Sequence, residues 1–316
     1  MKLAYIFAGQ GAQKVGMGQE FYNTFDCSKS VYSEATLALG YSVESTCFEG
    51  PQEKLNQTEI TQPTILTTSI AMLRAFEART EHRPIAAAGL SLGEYSAHVA
   101  AGSLSFRDAV RLVMKRGRWM QNAVPEGDGA MAAIIGMSQE AVEGIVQDFE
   151  GVEVSNYNSP LQFVIGGPVG AVKDCADALK KAGARRALLL PVSAPFHTKM
   201  LWPARENLAG ALSEITFKAP AYPIISNVDA KPLDDPSAFP RYLAAQVTES
   251  VRWIECVESL ASLGADTIIA FGPGDALKPF VAKIDPSLTV HSVYDLASLD
   301  AALEAIGAKE AHRRAV

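Results

Sequence analysis

Five consecutive residues, Gly89-Leu90-Ser91-Leu92-Gly93, match G-x-S-x-G, the pattern that presents a serine hydroxyl at a sharp strand-to-helix turn. The chemistry needs the flanking glycines because the turn is tight and strained, and bulky side chains there would collide with the adjoining strand and helix. Taken alone the pattern is a common accident. Its surroundings set it apart: a short apolar run at 85–88 precedes it, and an alanine-rich helical pattern from Glu94 to Ala101 follows. A serine so placed has the N–H of Leu92 and the start of a helix aimed at any oxyanion that develops on a bound acyl group.

Such a serine needs a base. The chain offers His82, His98, His197, His291 and His312. His98 lies on the same helical stretch seven residues on, roughly 10 Å along its axis, and cannot reach Ser91. His82 falls in a polar loop and His312 near the frayed C-terminal end, while His291 reads as a core residue of a short late strand. His197, at the end of Pro191-Val192-Ser193-Ala194-Pro195-Phe196-His197, lies where an inserted module would rejoin the main sheet. Elimination favours it as the base, and no single carboxylate stands out as a third triad member.

The elements that must position these residues read as α/β. Residues 3–7 form a buried strand ended by Gly9-Gln10-Gly11, with helical patterns at 18–25, 28–38 and 64–78. After the serine turn, an amphipathic helix at 108–122 closes at Pro125 and Gly127. The rhythm then changes to strand 130–135, helix 139–149, strands 152–156 and 161–165, helix 169–182 and strand 187–192. That β-α-β-β-α-β order is the split βαβ pattern of ferredoxin-like modules. It predicts a small inserted domain at 127–195 between the two parts, 1–126 and 196–316, of a large α/β domain. The longer alternation then resumes: helix 203–215, strand 222–226, helices 240–245 and 254–263, strand 267–271 before Gly272-Pro273-Gly274, strand 288–293 and a last helix. Helix-sized crossovers predict a mainly parallel sheet covered on both faces.

Composition narrows the function class. A formal charge of −7 lacks the dense basic face of a general nucleic-acid binder. No apolar run of about 18 residues predicts a membrane span, and the amino terminus lacks the apolar region and cleavage site of a secretory signal. Cys27, Cys47, Cys175 and Cys256 are scattered without metal-ligand spacing, which predicts reduced thiols in a cytoplasmic protein and no metal site. Without a coiled coil or long apolar stripe, a monomer is expected.

The chain resembles the malonyl-CoA:acyl-carrier-protein transacylases and the acyltransferase domains of polyketide synthases. Phe7-Ala8-Gly9-Gln10-Gly11-Ala12-Gln13 is similar to their PGQGxQ loop, and Gly89-Leu90-Ser91-Leu92-Gly93-Glu94-Tyr95 to their GHSxGEY elbow. Arg116-Gly117 is similar to their R-G pair. Gln62-Pro63, Gly129-Ala130-Met131, Asn156-Tyr157-Asn158-Ser159-Pro160, Ser226-Asn227-Val228-Asp229 and Gly272-Pro273-Gly274 continue the match in the family's order. The resemblance implies an α/β-hydrolase-like large domain and an acyl transfer from malonyl-CoA to the phosphopantetheine thiol of an acyl carrier protein. It implies Ser91 as the acylated nucleophile, His197 as base oriented by the backbone carbonyl of Gln246, and the N–H groups of Gln10 and Leu92 as oxyanion hole. Arg116 would hold the malonyl carboxylate, since a guanidinium meets a carboxylate with two parallel hydrogen bonds. Gln62, Asn158 and Phe196 would line the substrate, and no metal or redox cofactor is implied.

Leu90 departs from the family's histidine beside the nucleophile and removes any polar contact that histidine makes. Phe196 resembles the acyltransferases that take malonyl units, where a ring would crowd an α-methyl branch. Lys173, Lys180, Lys181, Arg185 and Arg186 are candidates for docking an acidic carrier, although two of them end a helix, where the dipole is reason enough for a lysine. A chain starting at Met1 without fused domains favours a fatty-acid carrier over a polyketide assembly line with a separate acyltransferase. A serine thioesterase or hydrolase would explain Ser91 and His197 but leave Arg116 and the 9–11 loop idle. A scaffold subunit with a dead site would not need all three residues.

Overall fold

The computed structural model describes residues 1–192 and 194–307, so His312 lies outside the described residues. Ten strands run along the described residues. β1 (Leu3–Phe7) and β2 (Ala86–Gly89) come first; β3 (Gly129–Ile135), β4 (Glu153–Ser159), β5 (Gln162–Pro168) and β6 (Arg186–Leu189) form the middle group. β7 (Ile224–Ile225), β8 (Pro232–Leu233), β9 (Thr267–Phe271) and β10 (Thr289–Val293) follow.

One sheet has the order β10-β9-β1-β2-β7-β8, parallel throughout except for the β7–β8 pair at its edge. Every residue of β1, β2 and β9 is buried, as expected of parallel strands covered on both sides. Alternation sorts them into two cores. Leu3, Tyr5 and Phe7 face one layer of helices with Phe76 and Phe271, while Ala4 and Ile6 face the other with Trp253 and Leu260.

The second sheet, β4-β5-β3-β6, is antiparallel, and helices Gln139–Val146 and Val169–Lys181 contribute Val142, Val172 and Leu179 to a core of its own with Ile134, Phe163 and Ile165. The predicted α/β class, with a mainly parallel sheet and a ferredoxin-like order of elements in the second unit, is what the chain adopts. A parallel bridge, Asn156 to Val251, stitches the two units together: Val251 N–H donates to Ser155 O at 2.9 Å and Tyr157 N–H to Val251 O at 3.0 Å.

Several elements differ from expectation. The helix predicted at 64–78 begins six residues earlier, at Thr58, and runs to Glu77 with Pro63 inside it. Threonine hydroxyls take up nearby carbonyls: Thr64 Oγ1 donates to Ile60 O and Thr67 Oγ1 to Pro63 O, at 2.8 and 2.7 Å. Strand β8 and the helices Val43–Phe48, Gln52–Leu55 and Lys278–Ile284 have two to seven residues each, too short to display a period, and escape the sequence reading. No helix among the described residues is long and apolar enough to cross a membrane.

His98 is wholly buried, with Nδ1 2.8 Å from Ser103 Oγ and its ring edge-on to Phe239. Burial pushes its pKa down to about 3. The unfolded chain therefore binds a proton below about pH 6.5 that the native state refuses, so this group's contribution to stability is full above pH 6.5 and is lost as pH falls toward 3. Chemical denaturation between pH 7 and 5 is expected to show His98→Asn with a shallower loss than wild type, by up to about 1.4 kcal/mol per pH unit. Parallel slopes would refute the assignment.

Candidate active site

The serine turn sits where β2 ends and the helix Leu92–Ala100 begins. A Cβ on Gly89 would lie 1.9 Å from the carbonyl carbon of Gly93, and one on Gly93 would lie 2.2 Å from Phe7 O. Only glycine lets this helix start so close to β1 and β2. Between them Ser91 adopts φ 52°, ψ −103°, a left-handed conformation that costs a non-glycine residue about 1–3 kcal/mol. Asn227 holds it there: its Oδ1 accepts the Ser91 N–H at 2.7 Å and its Nδ2 donates to Gly89 O at 2.8 Å. Ser91 occupies the N-cap position yet its hydroxyl makes no cap bond, which leaves the oxygen for other partners.

One partner is His197, whose Nε2 lies 2.7 Å from Ser91 Oγ. Its Nδ1 lies 2.7 Å from the backbone carbonyl of Gln246. A carbonyl only accepts, so Nδ1 carries the proton and Nε2 presents its lone pair to the serine. Burial, then the charge of Arg116, pushes the His197 pKa down to about 3, against the opposing pull of the Gln246 carbonyl. The imidazole is neutral at physiological pH and able to accept a proton. His197 also has a positive φ, 60°; among the described non-glycine residues only Ser91, His197 and Ala230 do. Backbone strain is concentrated on the pair.

Arg116 is the other partner. Its helix, Phe106–Asn122, approaches Thr58–Glu77 so closely that a Cβ on Gly117 would lie 2.5 Å from Thr58 O. That contact sinks Arg116 to 1% exposure. Nη1 donates to Gln62 Oε1 at 2.9 Å; Nη2 donates to Gln246 Oε1 at 2.9 Å and to Ser91 Oγ at 3.2 Å. The guanidinium carbon lies 5.3 Å from the Tyr95 ring centre, and Nε is buried without a hydrogen-bond acceptor. A cation recessed beside a nucleophile, with three of its five N–H donors spent, can receive an anionic group of a bound molecule.

The remaining predicted positions gather less tightly. No acceptor among the described residues takes the backbone N–H of Gln10 or of Leu92, so both can donate to an oxyanion; the Gln10 side chain is 3.4 Å from Thr58 Oγ1. Asn158 lies on β4 with a buried Oδ1 that has no partner, and Phe196 joins the larger apolar core. Leu90 packs against the opposite apolar cluster, which explains an aliphatic residue there. Lys173, Lys181, Arg185 and Arg186 are exposed, but Lys180 Nζ is spent on the carbonyls of Ala184 and Arg185 at 3.2 and 2.7 Å. Among the described residues no group of His, Cys, Asp and Glu could hold a metal ion.

Nothing local in the sequence marks a role for Asn227, Glu94 or the Gln246 side chain. All three are fully buried and meet around the serine turn. Asn227 and Glu94 were visible only as members of motifs, because their contacts span more than 130 positions.

Asn227→Ala removes both bonds that hold the strained turn. Reaction of Ser91 with a fluorophosphonate probe is expected to slow by about 10- to 100-fold, since small misplacements of a reacting atom cost that much. An unchanged rate in a folded variant would mean that the glycine packing suffices.

The acyl transferase domain model matches residues 4–283. The malonyl CoA-acyl carrier protein transacylase of Salmonella typhimurium is 43% identical over 305 residues, covering 96% of this chain and 99% of the relative. That of Bacillus subtilis is 40% identical over 309 residues, covering 96% and 97%. Among solved structures, an acyl carrier protein S-malonyltransferase from Vibrio cholerae superposes with a TM-score of 0.93 at 43% identity, covering 96% of this chain and all of the other. A malonyl-transacylase in complex with its type II PKS acyl-carrier protein superposes at 0.94, with 40% identity and coverage of 96% and 100%. The family model spans most of the chain and the relatives nearly all of it: this protein belongs to the acyl transferase domain family.

Proposed function

We propose that this chain is a malonyl-CoA:acyl-carrier-protein transacylase that carries the malonyl group as an ester on Ser91. The observation that supports it most is the Arg116 guanidinium, buried and donating to the same hydroxyl that His197 engages. A hydrolase of simple esters has no use for such a cation; an acyl group ending in a carboxylate does.

Ser91 gives its proton to His197 Nε2 while its oxygen attacks the thioester carbonyl of malonyl-CoA. The oxyanion is received by the N–H groups of Gln10 and Leu92 at the start of the elbow helix. Collapse breaks the carbon–sulfur bond, and the coenzyme A thiolate leaves with the proton from His197. The phosphopantetheine thiol of the carrier then yields its proton to His197, attacks the ester and releases Ser91, which recovers that proton. Every proton is moved by His197, so the scheme calls on no metal or redox cofactor. A malonyl carboxylate on Arg116 also offsets the positive charge that holds the His197 pKa down, strengthening the base once substrate is bound. Gln62 fixes the guanidinium plane, Asn158 offers an unspent acceptor, and Phe196 restricts the space for an α-branch.

We place the enzyme in the cytoplasm as a monomer, with the catalytic domain formed by 1–126 and 196–316 and the inserted domain by 127–195. The carrier docks beside the latter. One structural relative is seen with a type II PKS carrier, so a polyketide carrier is the second reading, and loading of both carrier types separates the two.

Intact-mass measurement with malonyl-CoA is expected to find one malonyl adduct that Ser91→Ala abolishes and that moves to added holo-carrier. Free malonate without loading of the carrier would indicate a hydrolase instead. Arg116→Ala should lose malonyl transfer at least about tenfold more than acetyl transfer, the value of a charge-assisted hydrogen bond. Equal losses would remove the carboxylate-holding role.

A further inference from the structure

Arg116 presents a charge problem that the reaction scheme leaves open. Its bonded partners, Gln62, Gln246 and Ser91, are all neutral. A buried guanidinium without compensation is costly. The negative charge nearest in the bonding network is the carboxylate of Glu94, 0% exposed and reached through a single side chain. Gln246 Oε1 accepts from Arg116, and Gln246 Nε2 donates to Glu94 Oε2 at 2.6 Å and to Ser91 O at 3.0 Å. The amide has only one orientation here: its oxygen faces a group that only donates, and its nitrogen faces two that only accept. Glu94 Oε2 also accepts the Asn227 N–H at 3.1 Å, while Oε1 is buried without a partner.

We propose that Glu94, acting through the Gln246 side chain, is a positioning residue that sets the aim and charge balance of Arg116, and that a carboxylate-bearing acyl group binds with uptake of a proton at Glu94. The proposal rests on malonyl transfer through Ser91. With Glu94 ionised, it and Arg116 are together close to neutral. An acyl carboxylate on Arg116 puts a second negative charge into the same dry site, and the oxygen able to shed its charge is the unpartnered Oε1 of Glu94. Protonation there leaves the Gln246 and Asn227 bonds to Oε2 in place.

The other charges around Glu94 permit this. Burial raises its pKa to about 7, against hydrogen bonds from Gln246 and Asn227 and the charge of Arg116, while Asp229 beyond β7 adds negative charge. Tyr95 on the same helix is pushed up to about 12 and the Cys256 thiol, on helix Trp253–Ser262, well above its ordinary value, both mainly by burial, so neither competes. His197, held near 3, is already neutral. The site therefore prefers malonyl over acetyl most strongly when Glu94 is protonated, and the preference weakens as pH rises above about 7.

Single-turnover acylation of Ser91 by malonyl-CoA and by acetyl-CoA, compared between about pH 6 and 9, tests this, because the ratio cancels every titration common to both thioesters. In wild type the malonyl-to-acetyl ratio should be flat below pH 7 and then fall, by at most about tenfold per pH unit, the limit for one proton. In Glu94→Gln, which mimics the protonated acid, the ratio should not change with pH. Above pH 7 an indicator dye should register proton uptake on acylation by malonyl-CoA beyond that seen with acetyl-CoA. A wild-type ratio independent of pH, or an equal fall in Glu94→Gln, overturns the proposal while leaving malonyl transfer intact. If Glu94→Gln does not fold, the wild-type ratio and the proton count decide. Absence of a Ser91 adduct from either thioester overturns the transfer reading and this one with it.

Discussion

The left-handed backbone of Ser91 is the constraint on which the site depends. A non-glycine residue at φ 52° stays there only if its surroundings leave no alternative. Here β1 and β2 run parallel in register, Phe7 beside Gly89, and the elbow helix starts against them with no room for side chains at 89 or 93. The Asn227 side chain bonds both flanks of the turn. The hydroxyl is thereby turned away from its own helix and toward His197 and Arg116. Fold and nucleophile are one arrangement, because the close packing that builds the parallel sheet is also what strains the serine.

Around that turn, charge is balanced over three helices by one residue. Gln246 accepts His197 Nδ1–H on its backbone carbonyl, Arg116 on its side-chain oxygen, and gives its side-chain N–H groups to Glu94 and the Ser91 carbonyl. Base, cation, carboxylate and nucleophile thus share one rigid amide and one adjoining carbonyl. In a dry site these groups feel one another strongly. The depressed base, the unspent Arg116 donors and the raised Glu94 acid are aspects of a single buried network. The chain around Gln246 is itself steadied by the Val251 bridge to β4, which couples the second unit to the network.

Much was legible because its signal was local. The serine turn needs glycines at fixed offsets, and the strands β1 and β9 are continuous apolar runs with clear ends. The alternation of elements at 129–189 has an order that few folds share. The unread elements had no local signal: β8 is two residues long, and Thr58–Pro63 hides the start of a long helix behind a proline that usually ends one. Arg116 illustrates the limit. In the run Lys115-Arg116-Gly117-Arg118 it reads as a solvated helix face, and only the approach of Gly117 to Thr58 sinks it.

From sequence alone came the residue types able to do the chemistry, their order and the class of sheet that carries them, since composition, periodicity and turn glycines act over a few neighbouring residues. Tertiary structure decided which of those residues meet. Ser91 and His197 are 106 positions apart, Arg116 and Gln246 130, and Glu94 and Gln246 152. No local pattern records such pairings, because they arise from how the sheet and its covering helices close on one another. The same closure removes water, and it is the removal of water that makes a glutamine amide and a buried carboxylate matter to an arginine.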